Sequence, residues 1–454
     1  MENFRGRLIS PYQHDGVQWL LRREAAEKNP GGFLCDEMGL GKTVQMIATF
    51  VQNPKNHTLV VVPKSILTQW KEELNHFAPA TSVLIYDKHQ KIDKYQVVLA
   101  PYSIFKSDTT VFHKLHWDRI VLDEGHEIRS NTSKVSKSCR SLRGTIHWII
   151  SGTPIYNSNK DFVTLCSFVG IHKSYVLGMK RKITETYVLR RTKSDFNERL
   201  QLPPCDFKMI ELDMHPEEKG VYSTIFEKNR SKVREIFKTS TNLGMHYMHI
   251  LECMLRCRQA MIHPGMVIPG WNGRMKKMEF LVDSIMSHPS EKTLVFCQFK
   301  HEMNYIQEVL ESKGVGVYRL DGTVPLDART EIVKEFKKSE GHIVFIIQIK
   351  TGGQGLNLHQ ASRVYITAPS WNPATELQAI ARAHRTGQTR RVTIRKIIYS
   401  GDQELPSIEQ SIVSLQCHKS FLCSEVLNDP RILNQLPKSA SSAGILELKK
   451  IFQV

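Results

Sequence analysis

The 454-residue sequence has few of the features of secreted or membrane proteins. Its nine cysteines are scattered along the chain without the paired spacing of a disulfide framework, which is typical of proteins in a reducing compartment. No apolar run approaches the roughly 18 residues that a membrane-spanning helix needs. The opening residues MENFRGRLIS have no apolar core of the kind found in signal peptides. These absences predict a protein of the cytosol or nucleus.

The sequence also lacks the spacing of a zinc site. Cys253, Cys257 and His263 lie close together in the segment LECMLRCRQAMIHPG, but a fourth ligand is absent. Their spacing suits one amphipathic helix. We therefore expect no zinc.

Acidic residues are scarce relative to basic ones. Lys and Arg total 62 against 45 Asp and Glu, which gives a formal net charge of +17 and a pI near 9.4. This surplus favours a polyanionic partner. Hydrophobic residues make up 41% and charged residues 24% of the chain, which is the balance of a folded protein. Because 454 residues exceed one ordinary core, two or three domains are expected.

The hydrophobic pattern predicts an α/β fold with two parallel sheets. Short β-branched runs alternate with helix-period segments in the first part of the chain and again from about residue 290, as in parallel strands covered by helices. The first set of runs is HTLVVVP, SVLIYD, YQVVLAP, RIVLDE and HWIISGTP. The second set is KTLVFCQF, GVYRLDG, HIVFIIQI, RVYITAP and VTIRKIIYS. Within the first set, Ile66, Trp70, Leu74 and Phe77 recur at helical spacing and predict a crossover helix.

These patterns divide the chain into four parts. Residues 1–200 are predicted to form a first α/β lobe that ends in the start of a helical protrusion, and residues 286–400 a second α/β lobe. Between them, residues 201–285 are mainly helical and basic after the proline break LPPC, which predicts helical protrusions and a connection between the lobes. Residues 401–454 contain one long predicted helix, SIEQSIVSLQCHKSFLCSEVL, and a tail.

The segment GGFLCDEMGLGKTVQMI predicts a phosphate-binding loop. A strand is followed by Gly39, Gly41, Lys42 and Thr43 and then by a helix, which directs backbone N–H groups and the positive end of the helix dipole toward an anion. Lys42 would neutralise the β- and γ-phosphates, and the Thr43 hydroxyl would bind Mg²⁺. The strict pattern has glycine where this chain has Asp36, so a helix start with incidental glycines is the alternative.

Two adjacent carboxylates follow another predicted strand. In RIVLDEGHE an apolar run ends in Asp123 and Glu124, whose side chains leave the strand tip in different directions. One carboxylate can therefore hold Mg²⁺ through water while the other polarises the attacking water. We assign the metal to Asp123 and the water to Glu124. A solvated acidic pair is the alternative, but it is uncommon at the end of a buried strand in a chain with a phosphate loop.

The second lobe supplies a cationic element. In ELQAIARAHRTGQ, Gln378, Arg382 and Arg385 stand at i, i+4 and i+7, which places them on one helical face. A solvated basic face is the alternative. Arginines on a separate lobe are suited to stabilising γ-phosphate charge across a cleft, so ATP would couple lobe closure to hydrolysis.

A set of segments in fixed order resembles the Swi/Snf family of superfamily-two helicase-like DNA translocases. The segments are PYQHDGVQWL, DEMGLGKT, VVPKSILTQW, DEGH, SGTP, VFCQF, RLDGT, TGGQGLNL and QAIARAHRTGQ. The resemblance covers the chain from about residue 8 to its end and implies two RecA-like lobes. The segment SIEQSIVSLQ resembles the helix that braces the lobes, and DEGHEIRSNTSK leans toward the subgroup of the helicase-like transcription factor and post-replication repair translocases.

The resemblance also implies roles for individual residues. Gln13 would read the adenine edge of ATP, and Asp36, Leu40 and Gly355 would line the nucleotide together with the loop and arginine residues. The residues expected to contact DNA are Lys64, Thr323, Thr351, Gly353 and Trp371. The residues expected to link the hydrolytic site to the DNA groove are His126, Ser151, Gly152, Thr153 and Gln378.

The chain departs from the family pattern at two positions. Ser370 stands where the family often has a second tryptophan before Trp371, and Cys205 stands where a lysine often follows LPP. Neither position touches the hydrolytic chemistry, but Ser370 would weaken a contact with the DNA groove. No bromodomain, chromodomain or RING-type cysteine–histidine cluster is present in the sequence.

The resemblance implies a monomeric motor that hydrolyses ATP with Mg²⁺ and moves along double-stranded DNA without separating its strands. Nucleosomes or other DNA-bound proteins would be displaced, in the nucleus or in a cytoplasmic viral factory if the protein is viral. The alternatives are a strand-separating helicase of the same superfamily, a transcription-associated nucleoside triphosphatase of a large DNA virus, and an inactive DNA-binding scaffold. Intact Lys42, Glu124 and arginines argue against the scaffold.

Overall fold

The computed structural model describes most of the chain. The described residues are 4–5, 8, 10–87, 90–107, 109–152, 159–196, 202–239, 243–352, 356–385, 387–427, 451–452 and 454. Two compact units divide the chain, Met1–Leu202 with Leu422–Arg431, and Pro203–Phe421 with Ile432–Val454.

The first unit is built on a seven-stranded parallel sheet with the order β3-β4-β2-β5-β6-β1-β7. Its strands are β1 (Gly31–Leu34), β2 (Thr58–Val62), β3 (Val83–Ile85), β4 (Val97–Pro101), β5 (His116–Asp123), β6 (Arg143–Ile150) and β7 (Val188–Leu189). Its helices are α1 (Pro11–Glu24), α2 (Lys42–Gln52), α3 (Leu67–Phe77), α4 (Lys134–Arg140), α5 (Asn159–Phe168), α6 (Lys173–Gly178) and α7 (Lys180–Tyr187).

The core of the first unit explains why these segments fold as they do. Every residue of the apolar strands β2 and β4 is buried, as expected for a parallel sheet covered on both faces. Helix α3 buries Trp70 and Leu74 against this sheet, with Phe77 partly buried beside them. The predicted crossover helix is therefore confirmed.

The second unit contains a six-stranded parallel sheet with the order β10-β11-β9-β12-β13-β8. Its strands are β8 (Cys205–Leu212), β9 (Thr293–Cys297), β10 (Gly316–Leu320), β11 (Ile343–Gln348), β12 (Arg363–Ile366) and β13 (Val392–Tyr399). The helices of this part of the chain are α8 (Pro216–Thr239), α9 (Leu243–Ile262), α10 (Lys276–Met286), α11 (Lys300–Ser312), α12 (Leu326–Lys338), α13 (Ile349–Gly352), α14 (Pro373–Ala383) and α15 (Ile408–Leu427). The predicted α/β class with two parallel sheets is confirmed.

The region predicted as a helical connection, residues 201–285, belongs almost entirely to the second unit. Its first segment is strand β8, which pairs with β13 from Cys205↔Val392 to Leu212↔Tyr399. Helices α8 and α9 follow and pack together with α15 around Tyr222 and Phe226. The long helix predicted after residue 400 is present as α15.

The cysteines of helix α9 lie in this helical core rather than at a ligand site. Cys257 is fully buried, its Sγ accepts a hydrogen bond from the Asn229 side chain at 3.8 Å, and burial raises the pKa of its thiol to about 12. Within the described ranges, no group of three or more histidine, cysteine or acidic side chains could hold a metal ion. In the same part of the chain, no helix combines the length and apolar character that crossing a bilayer demands.

Candidate active site

The first unit places its candidate residues at the ends of three neighbouring strands. Strands β5, β6 and β1 are adjacent in the sheet, and their carboxyl ends lead into Asp123–Glu124, Ser151–Gly152 and the phosphate loop. Crevices at the carboxyl ends of parallel strands are the usual ligand sites of such sheets. Lys42 and Gly152, which are 110 residues apart in sequence, therefore lie at the same edge of the sheet.

The loop after β1 has the backbone that an anion cradle requires. Gly39 and Gly41 have φ values of 92° and 75°, which favour glycine. A Cβ on Gly41 would lie 2.5 Å from Nε2 of Gln13, so the position also admits no side chain without a shift of Gln13. Helix α2 begins at Lys42, and its first N–H groups have no partner within the helix. The loop therefore presents donors to an anion.

Gln13 and Lys42 both lie against this loop. The buried Gln13 donates from Nε2 to the Leu40 carbonyl at 3.4 Å, which places the predicted adenine reader beside the cradle. Lys42 Nζ donates to the carbonyl of Asp36 at 2.8 Å. A Cβ on Gly152 would lie 3.6 Å from the same Nζ, so the structure brings Lys42 and Gly152 together.

The side chain of Asp36, which was predicted to line the nucleotide, is bound by other side chains of the protein. It is fully buried, and its Oδ1 accepts hydrogen bonds from Nε of Arg191 at 3.0 Å and from the Arg191 backbone N–H at 3.1 Å. The Arg191 guanidinium also contacts Oδ2, as does Gln45 Nε2 at 3.2 Å. A buried carboxylate needs such partners. Asp36 therefore anchors the loop from beneath.

Two arginines that sequence reasoning did not select support the loop. Arg190 donates from one guanidinium nitrogen to the carbonyls of Cys35 at 3.1 Å and Gly152 at 3.2 Å, which ties the strand before the loop to the SGTP segment. Arg191 binds Asp36 and also donates to Gln45 Oε1 at 2.7 Å. The sequence feature that could have indicated this role is the pair of adjacent arginines in VLRRTKSD.

Asp123 lies in a buried environment at the end of β5. The Trp70 indole N–H donates to its Oδ2 at 2.7 Å, and the Glu124 backbone N–H donates to its Oδ1 at 2.9 Å. Burial and the neighbouring Glu124 raise the pKa of Asp123 to about 7, although the Trp70 hydrogen bond and the Lys42 ammonium act in the opposite direction. Tyr102 donates its hydroxyl to the Asp123 carbonyl at 2.9 Å. Trp70 and Tyr102 were not selected from the sequence.

Glu124 has a left-handed backbone, with φ 51° and ψ 45°, which is uncommon for a residue other than glycine. Such conformations concentrate at functional sites because the surrounding structure must hold them. His126 Nδ1 lies 3.2 Å from Glu124 Oε2, so the structure brings the predicted water-polarising and coupling residues together. Both side chains are largely buried.

Three further predicted residues, Lys64, Ser151 and Thr43, lie at the same edge of the first unit's sheet. Lys64 is exposed just after β2, the strand next to β5. The buried Ser151 follows β6, and its N–H donates to the Leu34 carbonyl at 3.2 Å. Thr43 is the second residue of α2 and is partly exposed. Thr153 lies outside the described residues.

The second unit brings Arg382 and Arg385 together, although not on one helix. Both guanidinium groups donate to the Leu356 carbonyl, at 3.3 Å and 3.4 Å. Arg382 Nε also donates to the Gln378 carbonyl at 3.1 Å, and the Gln378 side chain is buried. Helix α14 ends at Ala383, so the prediction that Arg385 lies on the helical face is wrong. The chain turns at His384, and this turn brings Arg385 back to Leu356.

Two predicted DNA contacts of the second unit lie side by side. Gln348 Oε1 accepts hydrogen bonds from the Gly322 N–H at 3.2 Å and the Thr351 hydroxyl at 3.4 Å, which joins the loops after β10 and β11. Thr323 is held by Asp321, to which its N–H donates at 2.8 Å. Burial pushes the pKa of Asp321 upward, but hydrogen bonds from Thr323 and Arg319 outweigh it and hold the pKa at about 2. Gly353 and Gly355 lie outside the described residues.

Trp371, a predicted DNA contact, and the neighbouring Ser370 both lie partly or almost fully inside the second unit. Trp371 is partly buried against the apolar core of helices α8, α9 and α15. Ser370 is only 5% exposed, and its Oγ accepts a hydrogen bond from Gln298 Nε2 at 3.1 Å. The serine is therefore an internal residue of this unit.

Together, the loop and carboxylates of the first unit and the arginine pair of the second define the helicase-like class of ATP-dependent enzymes. Comparison with known families agrees with this class. The SNF2-related domain matches residues 12–266, and the helicase conserved C-terminal domain matches residues 276–387. The chain belongs to the family of the SNF2-related domain.

Individual relatives show how far the similarity extends. A putative ATP-dependent helicase/translocase, YwqA of Bacillus subtilis, is 32% identical over 479 residues, which cover 96% of this chain and 50% of that protein. The mouse SWI/SNF-related matrix-associated actin-dependent regulator of chromatin subfamily A member 1 is 26% identical over 494 residues, 98% of this chain and 46% of that protein. The chain thus spans about half the length of the curated relatives it matches.

Among solved structures, the Sulfolobus solfataricus SWI2/SNF2 ATPase core in complex with dsDNA is similar to this chain. The identity is 26%, the match covers 99% of this chain and 97% of that one, and the TM-score is 0.43.

Proposed function

We propose that this chain is a DNA-stimulated ATPase that moves along double-stranded DNA without separating its strands, and thereby remodels chromatin or displaces DNA-bound proteins. The observation that carries the proposal is the convergence of Lys42, Gly152 and the Asp123–Glu124 pair at three adjacent strand ends. Membership of the SNF2-related family supports it.

ATP would bind at the loop between β1 and α2. The first N–H groups of α2 and the Lys42 ammonium would hold the β- and γ-phosphates, and Gln13 would contact the adenine. Because a Cβ on Gly41 would collide with Gln13, the loop and the adenine reader would position each other.

The residues present fit a magnesium ion beside these phosphates. Asp123 is a buried carboxyl with a raised pKa, which an adjacent cation would ionise, and the Thr43 hydroxyl lies in the first turn of α2. Each Asp123 oxygen accepts one hydrogen bond and keeps a further lone pair, and we propose that the carboxylate contacts the ion through water. When bound with ATP, Mg²⁺ would neutralise charge that develops on the phosphate oxygens.

Glu124 would accept a proton from the attacking water. His126 Nδ1 lies 3.2 Å from its Oε2, which is close enough to orient the carboxylate. Arg382 and Arg385 would stabilise the γ-phosphate charge in the transition state when the lobes close. Their shared acceptor, the Leu356 carbonyl, would hold them as a pair in the absence of nucleotide.

Duplex DNA would be bound mainly through its phosphates. The net charge of +17 supports a polyanionic partner, and Lys64, Thr323 and Thr351 follow strand carboxyl ends within their own units. Hydrogen bonds to phosphates position a protein without reading sequence. Such binding suits a motor that passes over many sequences.

Release of phosphate from ATP, with and without duplex DNA, tests the proposal. We expect a stimulation by DNA on the order of 100-fold, roughly the gain that one added transition-state contact provides. Lys42→Ala removes the phosphate cation and Glu124→Gln removes the base, so each should abolish most of the stimulated rate.

Lys94→Ala is the control, because Lys94 is exposed near the amino end of β4, away from the strand ends that carry the site. A flat response of the wild-type protein to DNA would remove the motor assignment. Strand separation of a forked duplex, measured in parallel, would instead favour the helicase alternative.

A further inference from the structure

A buried polar cluster lies beneath the loop that carries Trp371. We define the Ser370 cluster as Gln298, Ser370, Glu376, Lys396 and Gln416. Lys396 Nζ donates to Glu376 Oε2 at 2.8 Å and to Gln416 Oε1 at 2.7 Å. Gln416 Nε2 donates to the Ser370 carbonyl at 2.5 Å and to Glu376 Oε1 at 2.6 Å. The same Glu376 oxygen accepts the Ser370 backbone N–H at 2.6 Å.

Most of this cluster is shielded from water. The exposed fractions of Ser370, Glu376, Lys396 and Gln416 are 5%, 6%, 3% and 0%. Buried polar groups that satisfy each other are stronger than exposed ones and hold a single geometry, whereas loss of one member leaves the others unsatisfied. The cluster should therefore fix the relative positions of the elements from which its members come.

Those elements include two of the candidate functional segments of this unit. Ser370 directly precedes Trp371, and Glu376 lies in the first turn of α14, whose last turn carries Arg382. Gln416 lies on α15, where Ile408, Ile412 and Leu415 pack into the core formed with α8 and α9. The cluster thus connects the start of the arginine-bearing helix to the helical layer.

A second contact secures the same loop. Arg258, on helix α9, donates to the carbonyl of Pro369 at 2.8 Å. The loop before Trp371 is therefore held from α9 through Pro369 and from α15 through Ser370.

We propose that the Ser370 cluster is a positioning element for ATP hydrolysis, which holds helix α14 and the Trp371 loop as one body so that the arginine pair keeps its catalytic orientation. This inference rests on the proposed function. Helix α14 spans 11 residues, or about 16 Å. A tilt at Glu376 therefore displaces Arg382 and Arg385 at its far end, and displacement of about 1 Å is enough to lower a rate by orders of magnitude.

The cluster also gives a reason for the serine at position 370. A tryptophan side chain would have to enter the space where Ser370 Oγ meets Gln298, in a site that is 5% exposed. Serine at this position is therefore compatible with the cluster, in which its small side chain leaves room for Gln298.

Gln416→Met tests the inference, because methionine preserves the side-chain length and removes the hydrogen bonds. Gln410→Met is the matched control, since Gln410 lies on the same helix and makes its bonds to Gly401 and Glu211 at an exposed site. We expect kcat at saturating duplex DNA to fall about tenfold in Gln416→Met, with KM for ATP changed less than about twofold, because the arginines act in the transition state. Gln410→Met should match the wild type.

A loss of thermal stability with an unchanged kcat would overturn the inference, because a merely structural role predicts that outcome. Gln416→Glu retains the acceptor for Lys396 and opposes Glu376, and it should lower kcat in the same direction if Gln416→Met does not fold. A wild-type protein without DNA stimulation would overturn the proposed function and this inference with it. If DNA stimulates the wild-type protein and Gln416→Met is fully active, the inference is overturned and the proposed function is not.

Discussion

At the scale of single residues, the surroundings of Asp123 change the pKa of its carboxyl group in two opposite directions. Burial and Glu124 raise its pKa to about 7, while the Trp70 hydrogen bond and Lys42 favour the ionised form. Because the folded pKa lies above the ordinary carboxyl value of 3.8, the folded protein binds an extra proton between about pH 4 and pH 7. The contribution of Asp123 to stability is therefore present at low pH and is lost as the pH rises through 7.

Activity should have the opposite dependence on pH. The ionised form of Asp123 is the one that can hold a cation, so kcat/KM for ATP with Mg²⁺, which reports on the free enzyme, should fall as the pH drops through about 7. Trp70→Phe removes a donor that favours ionisation, and we expect the midpoint of this fall to move up by about one pH unit. A pH series of initial rates measures it.

Tyr102→Phe is the control for this series, since Tyr102 donates to the Asp123 backbone carbonyl and not to its carboxylate. Its midpoint should stay at the wild-type value. If the midpoint pH of the fall in kcat/KM stays fixed or decreases in Trp70→Phe, the ionisation of Asp123 does not cause the loss of activity at low pH.

The same residues show what a sequence can and cannot predict. Lys42, Asp123 and Glu124 could be identified because each stands at a fixed offset from a strand end, a local property of the chain. Trp70 could not, because its indole reaches Asp123 only once β2, α3 and β5 have packed together. Its helical spacing predicted burial correctly but gave no indication of the hydrogen bond.

At the scale of secondary-structure elements, most strands were predictable from the sequence, including the edge strands β3 and β10, but β7 and β8 were not. The apolar runs of β2, β4, β9 and β11 are continuous because both faces of these strands are covered. Strand β8 lies at the end of its sheet and contains only exposed and partly buried residues, so CDFKMIEL did not resemble a buried strand. Strand β7, with two residues, was too short to detect.

The contact between Asp36 and Arg191, which follows β7, gives a prediction about the stability of the fold. Arg191→Met would leave the fully buried Asp36 without its cation and should lower the free energy of unfolding by about 3 kcal/mol. The double variant Asp36→Asn/Arg191→Met removes both charges and should recover part of the loss, because no buried charge remains unpaired. Urea unfolding with nucleotide binding as a second readout measures both effects.

Arg181→Met is the matched control for this cycle. Arg181 pairs with Glu185 on the surface of α7, with 80% of its side chain exposed, so its loss should produce no measurable change. Equal losses in Arg191→Met and in the double variant would show that the contact between the two side chains is not what stabilises the loop.

At the scale of the whole molecule, the net positive charge predicts how DNA binding depends on salt concentration. With +17 net charges and contacts to phosphates, binding to duplex DNA should weaken by at least about 100-fold between 50 and 200 mM salt through counterion release. Unrelated duplexes of equal length should bind alike. Lys64→Ala should reduce the slope of log Kd against log salt by about one, whereas Lys94→Ala at the opposite edge of the sheet should not.

A sharply preferred sequence in a competition titration would contradict phosphate-based binding. An unchanged slope in Lys64→Ala would exclude that residue from the DNA contact while leaving the general prediction in place.

The bond between Asp36 and Arg191 also has a consequence for how the protein is made. The two residues are 155 positions apart, so at about 5 to 20 residues per second the ribosome needs roughly 8 to 30 seconds to proceed from one to the other. During that interval the nascent chain contains the phosphate loop but not the Arg191 guanidinium that binds Asp36. Nucleotide can therefore stabilise the emerging polypeptide only after translation has passed codon 191.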